Sequence, residues 1–149
     1  MNIDDIKQLR KQTGAGIADC QEALKTSNGN MEKAKEFLKE KGFEKGAKKA
    51  DREVKAGLVD VYSHHGKVGV LVELLCETDF VARTEDFKSL AHELSLQIAS
   101  MNPQSVDDLM NQEYIRDATL TIDQLIKSVS GKLGENIQIR RFERIALEG

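Results

Sequence analysis

An α+β fold is predicted for this 149-residue chain, with a three-helix module at the N-terminus followed by a three-stranded antiparallel sheet packed with helices. Three observations predict it. Up to about residue 42, apolar residues recur at helical spacing in three short runs broken by glycine and asparagine. From Ala56 to Cys76 they alternate with period two on either side of His64-His65-Gly66. Beyond that, two helical stripes precede an isoleucine-rich strand. The expected division is residues 1–42 as the module, 43–55 as a basic linker and 56–149 as an α+β core domain of dimerisation type.

In the first helix Ile3, Ile6 and Leu9 form the apolar stripe, and Gly14-Ala15-Gly16 breaks it. Ile17, Cys20, Ala23 and Leu24 stripe the second, which ends before Asn28-Gly29. Asn30 suits the cap of the third, striped by Met31, Ala34, Phe37 and Leu38, with Gly42 just past its lysine-rich end. So small a unit has a thin core and marginal stability of its own. It looks like a ubiquitin-associated (UBA-like) three-helix module. Gly14 and Gly16 either just turn the chain or let this loop press against a partner's backbone.

Residues 43–55 read as a solvated linker. Counting Lys41 just before it, six positive residues (Lys41, Lys45, Lys48, Lys49, Arg52, Lys55) face three negative ones (Glu44, Asp51, Glu53), a net of about +3. An RNA-contacting patch is the rival reading, but no aromatic residues are interleaved there for base stacking.

In the core, Leu58 to Tyr62 and Val68 to Cys76 predict an antiparallel hairpin, the second strand burying Val68, Val70, Val72, Leu74 and Cys76. Thr78 fits a helix N-cap with Asp79 in the first turn. Phe80 and Val81 fall too early for the stripe that begins at Phe87, so an acid and a large aromatic sit on a turn from which side chains can project. An ordinary strand-to-helix junction has the same pattern. The next helix carries Phe87, Ala91, Leu94, Ile98 and Met101 on one face, until Pro103 stops it. Thr121 and Gln124 fit a capping box opening a shorter helix with Leu125, Ile126, Val129 and Leu133 inward, and Gly134 ends it. The last strand places Ile137, Ile139, Ile145 and Leu147 on one side. Arg141 and Glu143 interrupt it, which a bulge or an exposed strand end would explain.

Composition restricts function. With a net charge of −3 and a pI near 5.7, the chain is a poor nucleic-acid ligand, and a protein partner is favoured. No apolar run reaches the roughly 20 residues of a membrane span, and no signal-peptide pattern is present, so no membrane partner and a cytoplasmic location are expected. Cys20 and Cys76 read as reduced, buried thiols. His64, His65 and His92 lack zinc spacing, so no metal is expected; they read as turn and helix-surface residues. No glycine-rich phosphate loop or nucleophile motif occurs, so neither a cofactor nor bond-making chemistry is expected.

Thr13-Gly14-Ala15-Gly16-Ile17-Ala18-Asp19-Cys20, Thr78-Asp79-Phe80-Val81-Ala82-Arg83 and Lys132-Leu133-Gly134-Glu135-Asn136-Ile137 with Arg140-Arg141-Phe142 occur in one order over almost the whole chain. In these motifs the chain resembles the elongation factor Ts family, guanine-nucleotide exchange factors of bacterial and organellar translation. The resemblance implies a partner, the GTPase elongation factor Tu, and a cytoplasmic site of action, or an organellar matrix once a targeting segment is removed. It implies that Asp79 and Phe80 intrude beside the GTPase's switch elements and disturb its magnesium site. Thr78 and Val81 shape the turn, and Arg83 flanks the contact. It implies a second contact through Leu9, Arg10, Thr13, Gly14, Ile17 and Ala18 on another face of the GTPase.

The chain departs from the family in size. Longer members carry two copies of the core, whereas this chain has room for one, and only Gln104 to Leu120 stands where even short members have a helical insertion. Self-association into a homodimer is therefore expected, through a sheet face carrying Leu71, Leu75 and Phe142. The alternatives are a free-standing peptide- or ubiquitin-type binding module, and an RNA-associated ribosomal accessory protein using the linker.

Overall fold

Side-chain caps set where the helices begin. In the computed structural model, which describes residues 2–147, Asn2 accepts a hydrogen bond from Asp4 N and opens α1 (Ile3–Thr13), which Gly14 closes at φ 74°. α2 (Ile17–Thr26) starts at Gly16 with no side-chain cap, and α3 (Met31–Ala47) starts at Asn30, whose side chain accepts from Lys33 N. Leu9, Cys20, Ala23, Leu24, Ala34 and Leu38 make a small separate core, with Ile6, Met31 and Phe37 at its margin.

Gly42 does not end α3. The helix runs on to Ala47, into the segment read as linker. Packing explains it, because this stretch crosses α7 (Ile122–Leu133) at close range. A Cβ at Gly46 would overlap the Lys127 carbonyl, and one at Gly131 would overlap the Gly42 carbonyl. Close contact between the two backbones offsets the roughly 1 kcal/mol that each glycine costs a helix. A sequence stripe reports burial within one helix pattern and is blind to this crossing.

The core sheet has the order β1-β2-β5, antiparallel throughout, from β1 (Ala56–His64), β2 (Val68–Cys76) and β5 (Gln138–Ala146). His65 and Gly66 turn the hairpin at φ 52° and 69°, the double positive φ that matches the strands' twist. Val70, Val72, Leu74 and Cys76 face α5 (Glu85–Met101) and pack with its Phe87, Leu90, Ala91, Leu94 and Ile98. Met101 was expected in that stripe but is half exposed, at the last position before Asn102 turns the chain at φ 47°.

A bulge changes the face of β5. Glu73 pairs with Arg141 but Leu74 with Ile139, leaving Arg140 as the extra residue. Ile137 and Ile139 point to the helices before it; after it, Phe142 does. The expected common side for Ile137, Ile139, Ile145 and Leu147 is therefore wrong: Ile145 lies across from Gly69 on the open face and is 75% exposed, and Leu147 is exposed too. Phe142 is corrected in the opposite sense. It sits opposite Val72 and packs against the core, not on the open face.

Residues 104–120 are more ordered than their sequence suggests. They hold α6 (Val106–Asn111), β3 (Glu113–Tyr114) and most of β4 (Asp117–Thr121), the strands forming a two-stranded ribbon. Buried Gln97 ties it down by donating to Gln112 Oε1 and Glu113 O and accepting from Ile115 N. The capping box of α7 forms as expected, with Thr121 N to Gln124 Oε1 at 3.0 Å and Gln124 N to Thr121 Oγ1 at 3.1 Å. Among the described residues no helix is long and apolar enough to cross a membrane.

Candidate functional site

Where β2 ends, the chain makes a single helical turn, α4 (Asp79–Ala82), before α5 begins. Thr78 caps it as the sequence predicts: its Oγ1 accepts from Val81 N at 3.3 Å. Thr84 repeats the device for α5, accepting from Phe87 N at 3.2 Å while donating to Val81 O at 2.7 Å. Two caps in seven residues hold the turn between strand and helix. Val81 and Ala82 are buried in the main core, whereas Phe80 is 81% exposed. Val81, read as too early for the core and as part of the contact, is an anchor beneath the turn. Thr78, Asp79 and Arg83 are exposed beside Phe80.

A network underneath fixes the turn. The Glu135 carboxylate accepts from Glu77 N and Thr78 N, both at 3.0 Å on Oε1, and from Thr78 Oγ1 at 2.7 Å on Oε2. Glu77 reciprocates, its Oε2 accepting from Asn136 N at 2.6 Å. Buried Asn136 donates its side-chain amide to Ala50 O and Arg52 O, and the Arg52 guanidinium lies 3.6 Å from Glu77 Oε2. The Cys76 thiol donates to Thr78 O at 3.2 Å. Burial, helped by the nearby Glu135 charge, pushes that thiol up to about 11, so it is neutral. Sequence reasoning carried Glu135 only inside a matched motif, since its partners lie 57 and 58 residues away.

The second candidate surface lies on the small module. Gly14 and Gly16 are exposed and flank half-buried Ala15, and Arg10, Ile17 and Ala18 are exposed nearby. Thr13 braces the loop, donating to Leu9 O at 2.7 Å and accepting from Ala15 N at 3.3 Å. Leu9 itself is corrected: it is fully buried in the module's core and offers the free surface nothing. Below the loop, Asp19 binds Lys45 at 2.5 Å and Lys41 at 3.1 Å, and the Lys45 hydrogen bond holds its carboxyl below the usual range. A cleft of about 330 Å³ opens beside these groups, between the module and α7. Lys41, Lys45 and Lys132 on its wall are already ion-paired, so it reads as the seam between module and core.

The three histidines gather at the far end of the hairpin. Tyr62 Oη and His64 Nδ1 lie 2.7 Å apart, and His92 Nδ1 is 3.6 Å from Asp60 Oδ2. Among the described residues no group of three side chains is placed to hold a metal.

With this geometry in hand, comparison with known proteins is informative. A family model described as elongation factor TS matches residues 77–149, the half that carries the braced turn. A protein of Fervidobacterium nodosum named elongation factor Ts is 39% identical, with 95% of each chain covered. A chloroplastic elongation factor Ts of Guillardia theta is 41% identical over 95% of this chain and 86% of its own. An elongation factor Ts of Nostoc sp. is 49% identical over 95% of this chain, but this chain spans only 45% of its length. The Fervidobacterium alignment runs over 188 positions, more than the 149 residues present here, so that relative has sequence this chain lacks.

Proposed function

Because the chain belongs to the elongation factor Ts family, we propose that it is a guanine-nucleotide exchange factor that binds elongation factor Tu carrying GDP and speeds GDP release during translation elongation. The observation that carries the reading is Phe80: a large aromatic 81% exposed on a turn that buried Val81 and Ala82 anchor. An aromatic held out on a rigid support costs little further ordering when it enters a partner.

A GTPase retains GDP through backbone amides around the phosphates and through a magnesium ion. An exchange factor must favour the nucleotide-free state, since equal affinity for both states shifts nothing. Phe80 does this by wedging beside the switch elements, and the exposed Asp79 carboxylate brings negative charge to the magnesium environment. Thr78 and Val81 hold the wedge, and Arg83 flanks it. A thousandfold faster release requires about 4 kcal/mol, and burying one phenylalanine contributes roughly 1.5–3 kcal/mol, so a second contact is needed. Arg10, Thr13, Gly14, Ile17 and Ala18 supply it, and the two sites on one body gain from effective concentration. The protein makes and breaks no bond itself, and it works in the cytoplasm or an organellar matrix.

The homodimer belongs to the same reading. Val59, Val61, Leu71 and Ile145 are exposed on the helix-free face of the sheet, with Val61 directly opposite Leu71. A second copy laid on that face covers them. The deciding experiment is release of labelled GDP from elongation factor Tu with and without this protein. An unchanged release rate overturns the reading.

A further inference from the structure

Three segments far apart in sequence meet under the exposed phenylalanine: the exit from the helical module (Ala50 to Arg52), the end of β2 (Glu77 and Thr78) and the turn after α7 (Gly134 to Asn136). Most of their contacts run from a side chain to backbone. Glu135 takes two consecutive amides, Glu77 N and Thr78 N, and the Thr78 hydroxyl. The hydroxyl that donates to Glu135 also accepts from Val81 N. Thr78 therefore has its proton committed to one partner and its lone pair aimed at α4. With no acceptor at position 135, the hydroxyl is free to rotate, and two adjacent amides lose their partner.

We propose that Glu135 is the positioning residue for the exchange turn, acting through Thr78 to aim Phe80. Charge and geometry support this. A carboxylate shared by two amides and a hydroxyl makes charge-assisted hydrogen bonds, about twice as strong as neutral ones. Glu135 is fixed from behind, because Ser130 Oγ donates to its carbonyl at 2.5 Å and Gly134 turns the chain at φ 77°. Glu77 is its counterpart, taking Asn136 N in return. The pair makes a reciprocal clamp between two loops, and both half-buried carboxylates are taken up by loop groups while Phe80 stands exposed. Glu135 is thus positioned to set the angle of the wedge without touching the partner.

The inference rests on Phe80 being the exchange wedge, and the experiment separates the two. GDP release from elongation factor Tu is measured as a function of exchange-factor concentration for wild type, Glu135→Ala, Glu135→Gln, Phe80→Ala and the double variant Glu135→Ala with Phe80→Ala. Glu135→Ala is expected to lower the maximal rate tenfold or more while the half-saturating concentration stays within threefold. Glu135→Gln, which keeps an acceptor for both amides but sets an NH2 opposite the Thr78 hydroxyl, is expected to fall between Glu135→Ala and wild type. Because Glu135 acts through Phe80, the double variant is no slower than Phe80→Ala alone. Amide hydrogen exchange on the free protein gives a readout independent of activity: Thr78 N and Val81 N exchange faster in Glu135→Ala, while the α5 amides do not. Full activity in Glu135→Ala alongside a slow Phe80→Ala overturns this inference and leaves the proposed function standing. Wild-type rates in both overturn the proposed function itself. Protection lost along α5 as well would assign Glu135 to the fold in general and overturn its positioning role.

Discussion

Replacing Phe80 with alanine separates function from folding, because that side chain does almost nothing for the free protein. At 81% exposure it contributes little burial, while its neighbour Val81 at 4% anchors the turn. Surface substitutions of this kind change stability by within about 0.5 kcal/mol. For a domain of this size that is a Tm shift of under about 2 °C, at about 2–4 °C per kcal/mol. If Phe80 is the proposed wedge, its ring would pass in the complex from water into a protein interior, worth roughly 1.5–3 kcal/mol. At about 1.36 kcal/mol per decade, its loss from the transition state for GDP release slows exchange roughly 10- to 150-fold. The assay follows a fluorescent GDP analogue leaving elongation factor Tu with catalytic amounts of factor, alongside a thermal melt of the free variant. A variant that melts like wild type and exchanges at the wild-type rate refutes the wedge. One that unfolds refutes the claim that exposure reports dispensability for the fold.

Asp79→Asn is expected to slow exchange less than Phe80→Ala, since Asn keeps the shape and part of the hydrogen bonding of Asp; equal and complete loss in both would show that the carboxylate charge dominates, and a magnesium titration of the same assay locates the effect. Leu71→Glu puts a charge into the apolar patch it shares with Val61 and is expected to convert a dimer into a 16.6 kDa monomer by light scattering; a wild-type mass already at the monomer value with full exchange activity would sink the dimer. Gly46→Ala forces α3 off α7, because its Cβ would overlap the Lys127 carbonyl. Overpacking of about 1–3 kcal/mol should lower Tm by several degrees, and an unchanged melt would show that the crossing is loose.

Much of the fold was legible because its signals are local. The caps at Asn30, Thr78 and Thr121 each need only a few consecutive residues, and each forms as its spacing predicts. Period-two alternation in β2 reads directly as one buried face, since a central strand packed on helices from one side leaves its other residues free to be polar. What the sequence hid was set by partners distant along the chain. The end of α3 depends on Gly131, the parity of Ile145 on a bulge at Arg140, and the ordering of residues 104–120 on the amide of Gln97. The candidate site divides along the same line. Exposure of Phe80 followed from its falling too early for the stripe that begins at Phe87, but the same argument misplaced Val81, because a one-turn helix has too few residues to show a period. The bracing by Glu135 is a contact across 57 residues and has no local signature.

Physical separation of the two proposed contacts gives the close helix crossing its functional sense. A wedge displaces a bound nucleotide only if the body behind it does not yield. A module with so thin a core cannot supply that resistance alone. Here the third helix of the module runs past its own core and lies backbone to backbone on α7, and the turn that ends α7 at Gly134 leads directly into Glu135. Glu135 in turn holds Thr78, and Asn136 holds the exit from the module. The helix crossing is a backbone-to-backbone contact, and Glu135 and Asn136 carry it onward mainly through hydrogen bonds to backbone groups, with one added bond to the Thr78 hydroxyl. On the proposed reading, load taken up at Gly14–Gly16 would pass along α3 and α7 to the base of Phe80 through these contacts. This route would couple the two proposed contact surfaces, and a loose linker at residues 43–55 would have broken it.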